Sequence, residues 1–506
     1  MSGFAVGFGR PEKSNIEAMF NVIKHRGPDY SGIETTSRAI LAQNYLKADH
    51  PEELSSGNIP FHNQANSQAR ICYDGQIGNW AELAKRFGIQ DGAHREERLL
   101  LKLYELHGPG MLDYLEDALY AFVIVDDDTL FASRDPLGIK TLFLGTKNQT
   151  LYLASEMKCI TQITDQVFEF PPGHSINDEG TISQFSALPT SPPQEHNLNE
   201  SQMIQDVRSL IEESVRSRVD FAWPTGGLLS GGIDSSVINY LATKINRENH
   251  GVGASLKTFA LGITESEDIE MARLMADFLE SEHHEVIVSL EQMLEVLPDV
   301  IYYLESFDPS LVRSAVANYI ISQYAREKGV EVLLSGEGGD EVFCGYLYLK
   351  QYPTSELFTR QMECLGFLHN NASLRLDRMN QANGIRVVAP LISGKLLNYA
   401  MAIPSEYKQK PENGQKIEKW IFRKAFESEM PEQIIWRLKQ EFSQGSGSAS
   451  ILPSYFEEIV TDEEFLETQQ RFPIVRSKEE YYYFKLFTKY FGEGSPVETV
   501  GQWVAL

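Results

Sequence analysis

Apolar side chains recur in this chain with two different rhythms. Up to about residue 185 the runs are short and rich in β-formers, and residues 69–73, 121–125, 129–133, 142–144 and 151–154 read as strands separated by turn clusters. Helical spacing interrupts them at 16–24 and 95–107. This interleaving predicts an α+β domain over residues 1–186. The next stretch, ALPTSPPQEHNLNESQ (187–202), holds three prolines and no core pattern, and reads as a linker. From residue 203 the units lengthen and alternate: helix 203–218, strand 226–229, a helix from Ser235, strand 256–261, helix 269–280, strand 284–287, helices 290–303 and 315–328, strand 330–335. Such alternation predicts a doubly wound, mostly parallel α/β sheet with ligands at the strand C-terminal ends. Beyond about Tyr346 the pattern is largely helical and reads as a cap, so 203–506 is taken as one domain.

Composition adds limits. A chain of 506 residues exceeds what one core organises, and 42% hydrophobic with 23% charged residues is usual for a soluble globular protein. The formal net charge of −26 argues against nucleic-acid or anionic-membrane binding, so any phosphate must be held locally. Cys72, Cys159, Cys344 and Cys364 are scattered without C-x-x-C spacing. That points to neither a disulfide framework nor a zinc ribbon, and fits a reducing compartment. The N-terminus lacks the pattern of a signal peptide, and no apolar run approaches membrane-spanning length. A cytoplasmic protein is expected.

Chemistry is concentrated in LLSGGIDSS (228–236), which reads as strand, turn and helix start. Ser230, Gly231 and Gly232 free backbone N–H groups to close on an anion, and the helix N-terminus adds partial positive charge. No lysine follows the glycines, so this is not the G-x-x-x-x-G-K-[ST] loop. A carboxylate inside a phosphate cradle repels its ligand unless a cation lies between them, so Asp234 implies Mg²⁺. LLSGEGGDEVFCGY (333–346) repeats the design and adds Glu337, Asp340 and Glu341. Two such loops at sheet ends suit a polyphosphate held through Mg²⁺, with Asp234 and Asp340 as its carboxylates.

These loops, with FALGITESED (259–268), HHE (283–285) and RLKQEFSQGSG (437–447), resemble the synthetase half of glutamine-dependent asparagine synthetases. KHRGPDYSG (24–32), FASRDPLGIKTLF (131–143), LYLASEMKCI (151–160) and FPPGHS (170–175) resemble that family's class II glutamine amidotransferase domain. The resemblance implies an Ntn-hydrolase-like layered sandwich followed by a PP-loop ATP pyrophosphatase domain. It also implies an ATP-dependent ligase that adenylates a carboxylate, aspartate by default, releases pyrophosphate and lets a nitrogen donor attack. On that basis Ser230, Gly231, Gly232, Ser235 and Ser236 would meet pyrophosphate. Leu229, Ile263 and the stretch Ser335, Gly336 and Glu337 would frame the nucleotide, and Lys439 would stabilise the tetrahedral intermediate. Asp308 and Arg313 would serve the acceptor side. Arg386 stands where the family has a glutamate near the acceptor, which leaves Glu337 as the nearest candidate base. A homodimer is expected from relatives.

The amidotransferase half departs from its family's pattern. Ser2 occupies the position of the nucleophilic cysteine, and a hydroxyl is far harder to ionise than a thiol. Tyr45 replaces an arginine for the glutamine carboxylate. In YDGQIGN (73–79), Asp74, beside Gly75, replaces the oxyanion asparagine, and a carboxylate there would oppose a developing oxyanion. AHREER (93–98) stands where S-D-[TC]-E is expected. The sequence therefore points to an impaired glutaminase and to ammonia or an amine as donor. Glutamine use through Ser2, a specialised amide synthetase of β-lactam synthetase type and a non-catalytic scaffold are the alternatives.

Overall fold

The computed structural model of the chain describes residues 2–50, 54, 58–62, 68–193, 199–263, 266–412, 415–439 and 448–503. Two compact units result, Met1–Leu188 with Phe491–Val500, and Pro189–Tyr490 with Gly501–Leu506. Residues 491–500, assigned from the sequence pattern to the second domain, thus belong to the first unit. Ser495 Oγ explains the attachment: it accepts from the Val167 N–H at 2.7 Å and donates to the Asp165 carbonyl at 2.5 Å.

The first unit contains β1 (Ser2–Phe8), β2 (Tyr30–Thr35), β3 (Ala39–Tyr45), β4 (Phe61–His62), β5 (Arg70–Ile77), β6 (Ala118–Asp126), β7 (Thr129–Arg134), β8 (Phe143–Lys147), β9 (Thr150–Ala154), β10 (Val167–Glu169), β11 (His174–Asn177) and β12 (Ile182–Gln184). They form two six-stranded antiparallel sheets, ordered β10–β8–β9–β1–β3–β2 and β12–β11–β7–β6–β5–β4. Phe4, Val6 and Leu41 of one sheet pack on Cys72, Val123 and Ala132 of the other. Alternation then turns Ile71, Tyr120 and Phe122 outward, under Leu99, Leu100 and Leu103 of α3 (Arg95–His107), while α1 (Lys13–Asn21) and α4 (Met157–Thr161) cover the first sheet and α2 (Trp80–Phe87) lies beside α3. Four layers result, helix, sheet, sheet, helix. Helix α1 starts and ends three residues earlier than its apolar spacing indicates, because Lys24–Arg26 is a separate 3₁₀ turn.

In the second unit α5 (Glu200–Arg218) precedes β13 (Thr225–Leu228), α6 (Ile233–His250), β14 (Lys257–Gly262), α7 (Glu267–Leu279), β15 (Glu282–Ile287), α8 (Leu290–Leu304), α9 (Pro309–Glu327), β16 (Val332–Leu334), α10 (Gly339–Phe343), α11 (Thr354–Phe367), α12 (Ala372–Ala382) and β17 (Arg386–Val388). The sheet is wholly parallel, in the order β15–β14–β13–β16–β17. Strand order reverses between β13 and β16, and a crevice opens at such a reversal beyond the strand C-termini. Both glycine loops leave from that point. The region after Tyr346 is largely helical, yet it also supplies β17 to the sheet and a two-stranded hairpin, Gln409–Glu412 with Gln415–Glu418.

Candidate active site

The first loop is shaped by contacts along its whole length. Asn239 of α6 donates to the carbonyls of Leu228 (2.9 Å) and Ser235 (2.8 Å), tying the helix start to the end of β13. Ser235 Oγ receives the Ser230 N–H at 3.2 Å, lies 3.1 Å from Ser230 Oγ and donates to the Gly232 carbonyl at 3.1 Å. Gly231 has φ +69° and sits against Met271 and Ala272, so a side chain there meets both strain and a neighbour. The second loop closes on the first. A Cβ on Gly336 would lie 2.5 Å from the Asp234 carbonyl carbon, so only glycine allows this approach of two backbones.

A cavity of about 130 Å³ opens between them. Leu229, Phe259, Ala260, Leu261, Ile321 and Leu376 form its apolar wall, suited to a flat ring system. Asp234, Asp268, Glu337 and Asp340 face Arg375, Lys419, Arg423, Arg437 and Lys439 in the remainder. Arg423 pairs with Glu418, buried and outside the lining, so the five cations meet five carboxylates here. Lys419 Nζ bridges Asp234 Oδ2 and Asp340 Oδ1, the latter at 2.6 Å, and Lys439 Nζ lies 2.7 Å from Asp340 Oδ2. Burial alone would raise the Asp340 carboxyl, but the two lysines outweigh it and hold it well below the usual range. Asp234 goes the other way: burial and Asp340 together exceed the pull of Lys419 and Lys439 and raise it. Burial opposes the Lys439 charge, yet Asp340 and Asp234 keep its ammonium above the ordinary value. Asp234 Oδ1 is buried and makes no hydrogen bond.

Other residues are held elsewhere. Glu337 lines the cavity, but its carboxylate is 2.5 Å from Arg375 Nη2, which takes it away from the role of a free base. Ser335 and Gly336 line it too, whereas Ser236 is wholly buried and Gly231 and Ile263 are not among the lining residues. The residues expected on the acceptor side lie outside this cavity. Asp308 caps α9 through the Leu311 N–H (3.1 Å) and pairs with Arg476 (2.9 Å), and Arg313 makes a two-pronged pair with Glu479 at 3.0 and 2.5 Å. Arg386 stands opposite Val332, at the start of β16, about 7 Å of strand before the loop end of the sheet. None of the three lines the cavity, because register and ion pairing direct them away. Residues 440–447 of RLKQEFSQGSG and 264–265 of FALGITESED lie outside the described residues.

A second, smaller pocket in the first unit is lined by Ser2, Tyr45, Asp49, His50, Tyr73, Gly75, Arg95, Glu96 and Glu97. Ser2 is buried; its Oγ donates to the Tyr73 carbonyl at 2.5 Å and its N–H to Asp74 Oδ1 at 3.1 Å. Asp74 is not a lining residue, and Arg26 (2.9 Å) and Lys140 (3.2 Å) neutralise it. The oxyanion repulsion expected from a bare carboxylate is therefore muted.

The sequence model described as Asparagine synthase matches residues 206–364 and 359–495, and the one described as Glutamine amidotransferase domain matches residues 1–188. The chain belongs to the asparagine synthetase family. It is 32% identical over 515 residues to asparagine synthetase [glutamine-hydrolyzing] of Zea mays, covering 97% of this chain and 85% of the relative. Against asparagine synthetase B of Escherichia coli K12 it is 33% identical over 499 residues, covering 95% and 88%. As a member of the asparagine synthetase family the chain is an ATP-dependent ligase that forms carbon–nitrogen bonds. Sequence reasoning missed Lys419, Arg375, Arg423, Asp268 and Arg437 as lining residues of this cavity. Only Arg437 and Asp268 carried a signal, since one opens and the other closes a quoted motif; Arg437 donates to the Ser230 carbonyl at 3.1 Å and pairs with Asp268.

Proposed function

We propose that this chain adenylates a substrate carboxylate, aspartate by default, with ATP and Mg²⁺, and then amidates it with ammonia or an amine. In the first step a carboxylate oxygen attacks the α-phosphorus and pyrophosphate leaves; in the second, nitrogen displaces AMP from the acyl carbon. The observation that carries this reading is the convergence of Asp234, Asp340, Lys419 and Lys439 on one cavity beside two glycine loops. The donor set suits Mg²⁺, since two carboxylates face each other across Lys419 and Asp234 Oδ1 has no hydrogen bond. A bound Mg²⁺ would offset charge on the departing pyrophosphate. The chain's own residues do the rest: loop N–H groups and serine hydroxyls orient the phosphates, and Lys439 steadies negative charge at the acyl centre.

Glutamine hydrolysis is read as impaired. Ser2 Oγ donates its hydrogen bond to the Tyr73 carbonyl, and its pocket holds Asp49, Glu96 and Glu97 with Tyr45 where a cation for a carboxylate is expected. Arg95, the lining cation, lies 3.3 Å from Asp91 and stacks over Trp80. The assay is pyrophosphate release from ATP and Mg²⁺ with aspartate or other carboxylates, given ammonia, amines or glutamine. Carboxylate-dependent pyrophosphate with ammonia, and none above background with glutamine, is expected. No carboxylate-dependent release with any donor overturns the ligase assignment, and catalytic formation of glutamate from glutamine overturns the impairment.

A further inference from the structure

Two side chains that line the Ser2 pocket, His50 and Glu97, join His94 in a group that amide synthesis does not use. One nitrogen each from His50 and His94 and one oxygen of Glu97 lie within 4.8 Å of one another. All three residues are buried, at 6%, 3% and 2% exposure. Among the described residues no other three His, Cys, Asp or Glu side chains converge so closely. We propose that His50, His94 and Glu97 bind a divalent transition-metal ion of the Zn²⁺ type in the first unit, independently of whether glutamine is hydrolysed there.

Local structure sets the three donors. His50 ends the 3₁₀ turn Lys47–Asp49 that follows β3. His94 caps α3 from a left-handed backbone (φ 53°), a conformation uncommon for a residue with a side chain. Glu97 lies three residues on, one helical turn from His94 on the same face. Its carboxylate is 3.4 Å from His94 Nδ1, a marginal hydrogen bond. The opposite nitrogen, His94 Nε2, is buried and makes no hydrogen bond. With the ring proton on Nε2, the Nδ1 lone pair on Glu97's side of the ring is left for an ion shared with that carboxylate.

The surroundings fit the same ion. Phe61 stacks on His94 at 4.8 Å and Tyr45 meets His50 edge-on at 4.7 Å, which fixes both rings in an apolar collar. Glu96, the neighbour of Glu97, accepts from the Tyr73 hydroxyl at 2.6 Å and so is turned to another partner. Two imidazoles and one carboxylate select Zn²⁺, Co²⁺ or Ni²⁺ over Mg²⁺ and Ca²⁺, which prefer oxygen. His50 and Glu97 border the adjoining cavity of about 30 Å³, room for one water as a fourth ligand. A tetrahedral zinc site has donor–donor edges of about 3.3 Å, so side-chain rotation alone must close the cluster.

The test uses the full chain, stripped with a chelator and titrated with Zn²⁺ alone, bound metal being counted after gel filtration. One Zn²⁺ per chain is expected. His94→Gln and Glu97→Gln should each lower Zn²⁺ affinity at least about tenfold, in the range seen when metal-site groups are removed, while ammonia-dependent pyrophosphate release is unchanged. No stoichiometric uptake, or uptake by both variants equal to that of the parent, overturns the proposal. Should the variants fail to fold, X-ray absorption of the zinc-loaded parent decides: a nitrogen and oxygen shell with two imidazoles supports the site, and sulfur or fewer than two imidazoles overturns it.

Discussion

Lys419 reaches the two acidic loops from a left-handed backbone position (φ 54°) and ends between Asp234 and Asp340 with its side chain 1% exposed. Removing it leaves two buried carboxylates sharing Lys439. Lys419→Met is expected to destabilise the fold by about 3–5 kcal/mol, the cost of breaking a buried ion pair from one side, and to abolish pyrophosphate release; an unchanged melting temperature would contradict this role. Lys408 offers a pH test away from that site. Burial, opposed only by Cys344, lowers its ammonium to about 8. Its Nζ donates to Gln361 Oε1 at 2.8 Å. An unfolded lysine keeps its proton up to about pH 10.4. Between these values the unfolded chain holds the proton that the folded chain has lost, so stability rises with pH there, and the full penalty remains below pH 8. Lys408→Met should remove that slope and a neutral-pH penalty on the order of 3 kcal/mol, offset by the lost Gln361 bond. Melting curves from pH 7 to about 10 measure both effects.

The loop after β16 has no room to change where it crosses the loop after β13. Gly336 lies against the peptide joining Asp234 and Ser235, so Gly336→Ala must push one backbone from the other. A loss of about 1–3 kcal/mol is expected from this overpacking, with at least about a tenfold drop in pyrophosphate release as Asp234 and Asp340 separate. Urea unfolding and the pyrophosphate assay measure the two effects, and a variant with normal turnover would show that loop contact does not set the carboxylate geometry. Such sheet-end loops were readable in advance because each is continuous in sequence. Strand β13 itself was less so, since TGGL is half glycine, and its pairing with β14 and β16 decides it.

Charge acts over the whole chain. A net −26 repels ATP at long range, while the ion-paired cations of the cavity act only at short range. Salt screens the first effect before the second, so kcat/KM for ATP should rise from about 20 to 200 mM salt, as the Debye length falls from about 20 to 7 Å. A steep fall instead would mean that basic surface steers ATP inward. The sequence by itself determined the two architectures, two glycine loops at strand ends and the family, and it pointed to Asp234, Asp340 and Lys439. These features are local: a period, a turn or a motif is written in neighbouring residues. Tertiary structure alone decided that Lys419, 185 residues from Asp234, joins the two loops. It also turned Asp308 and Arg313 to ion pairs, set Arg386 at the far end of its strand, drew residues 491–500 into the first unit and gathered His50, His94 and Glu97. Side-chain direction depends on register and on which distant charge satisfies a buried one, and neither leaves a pattern in adjacent residues.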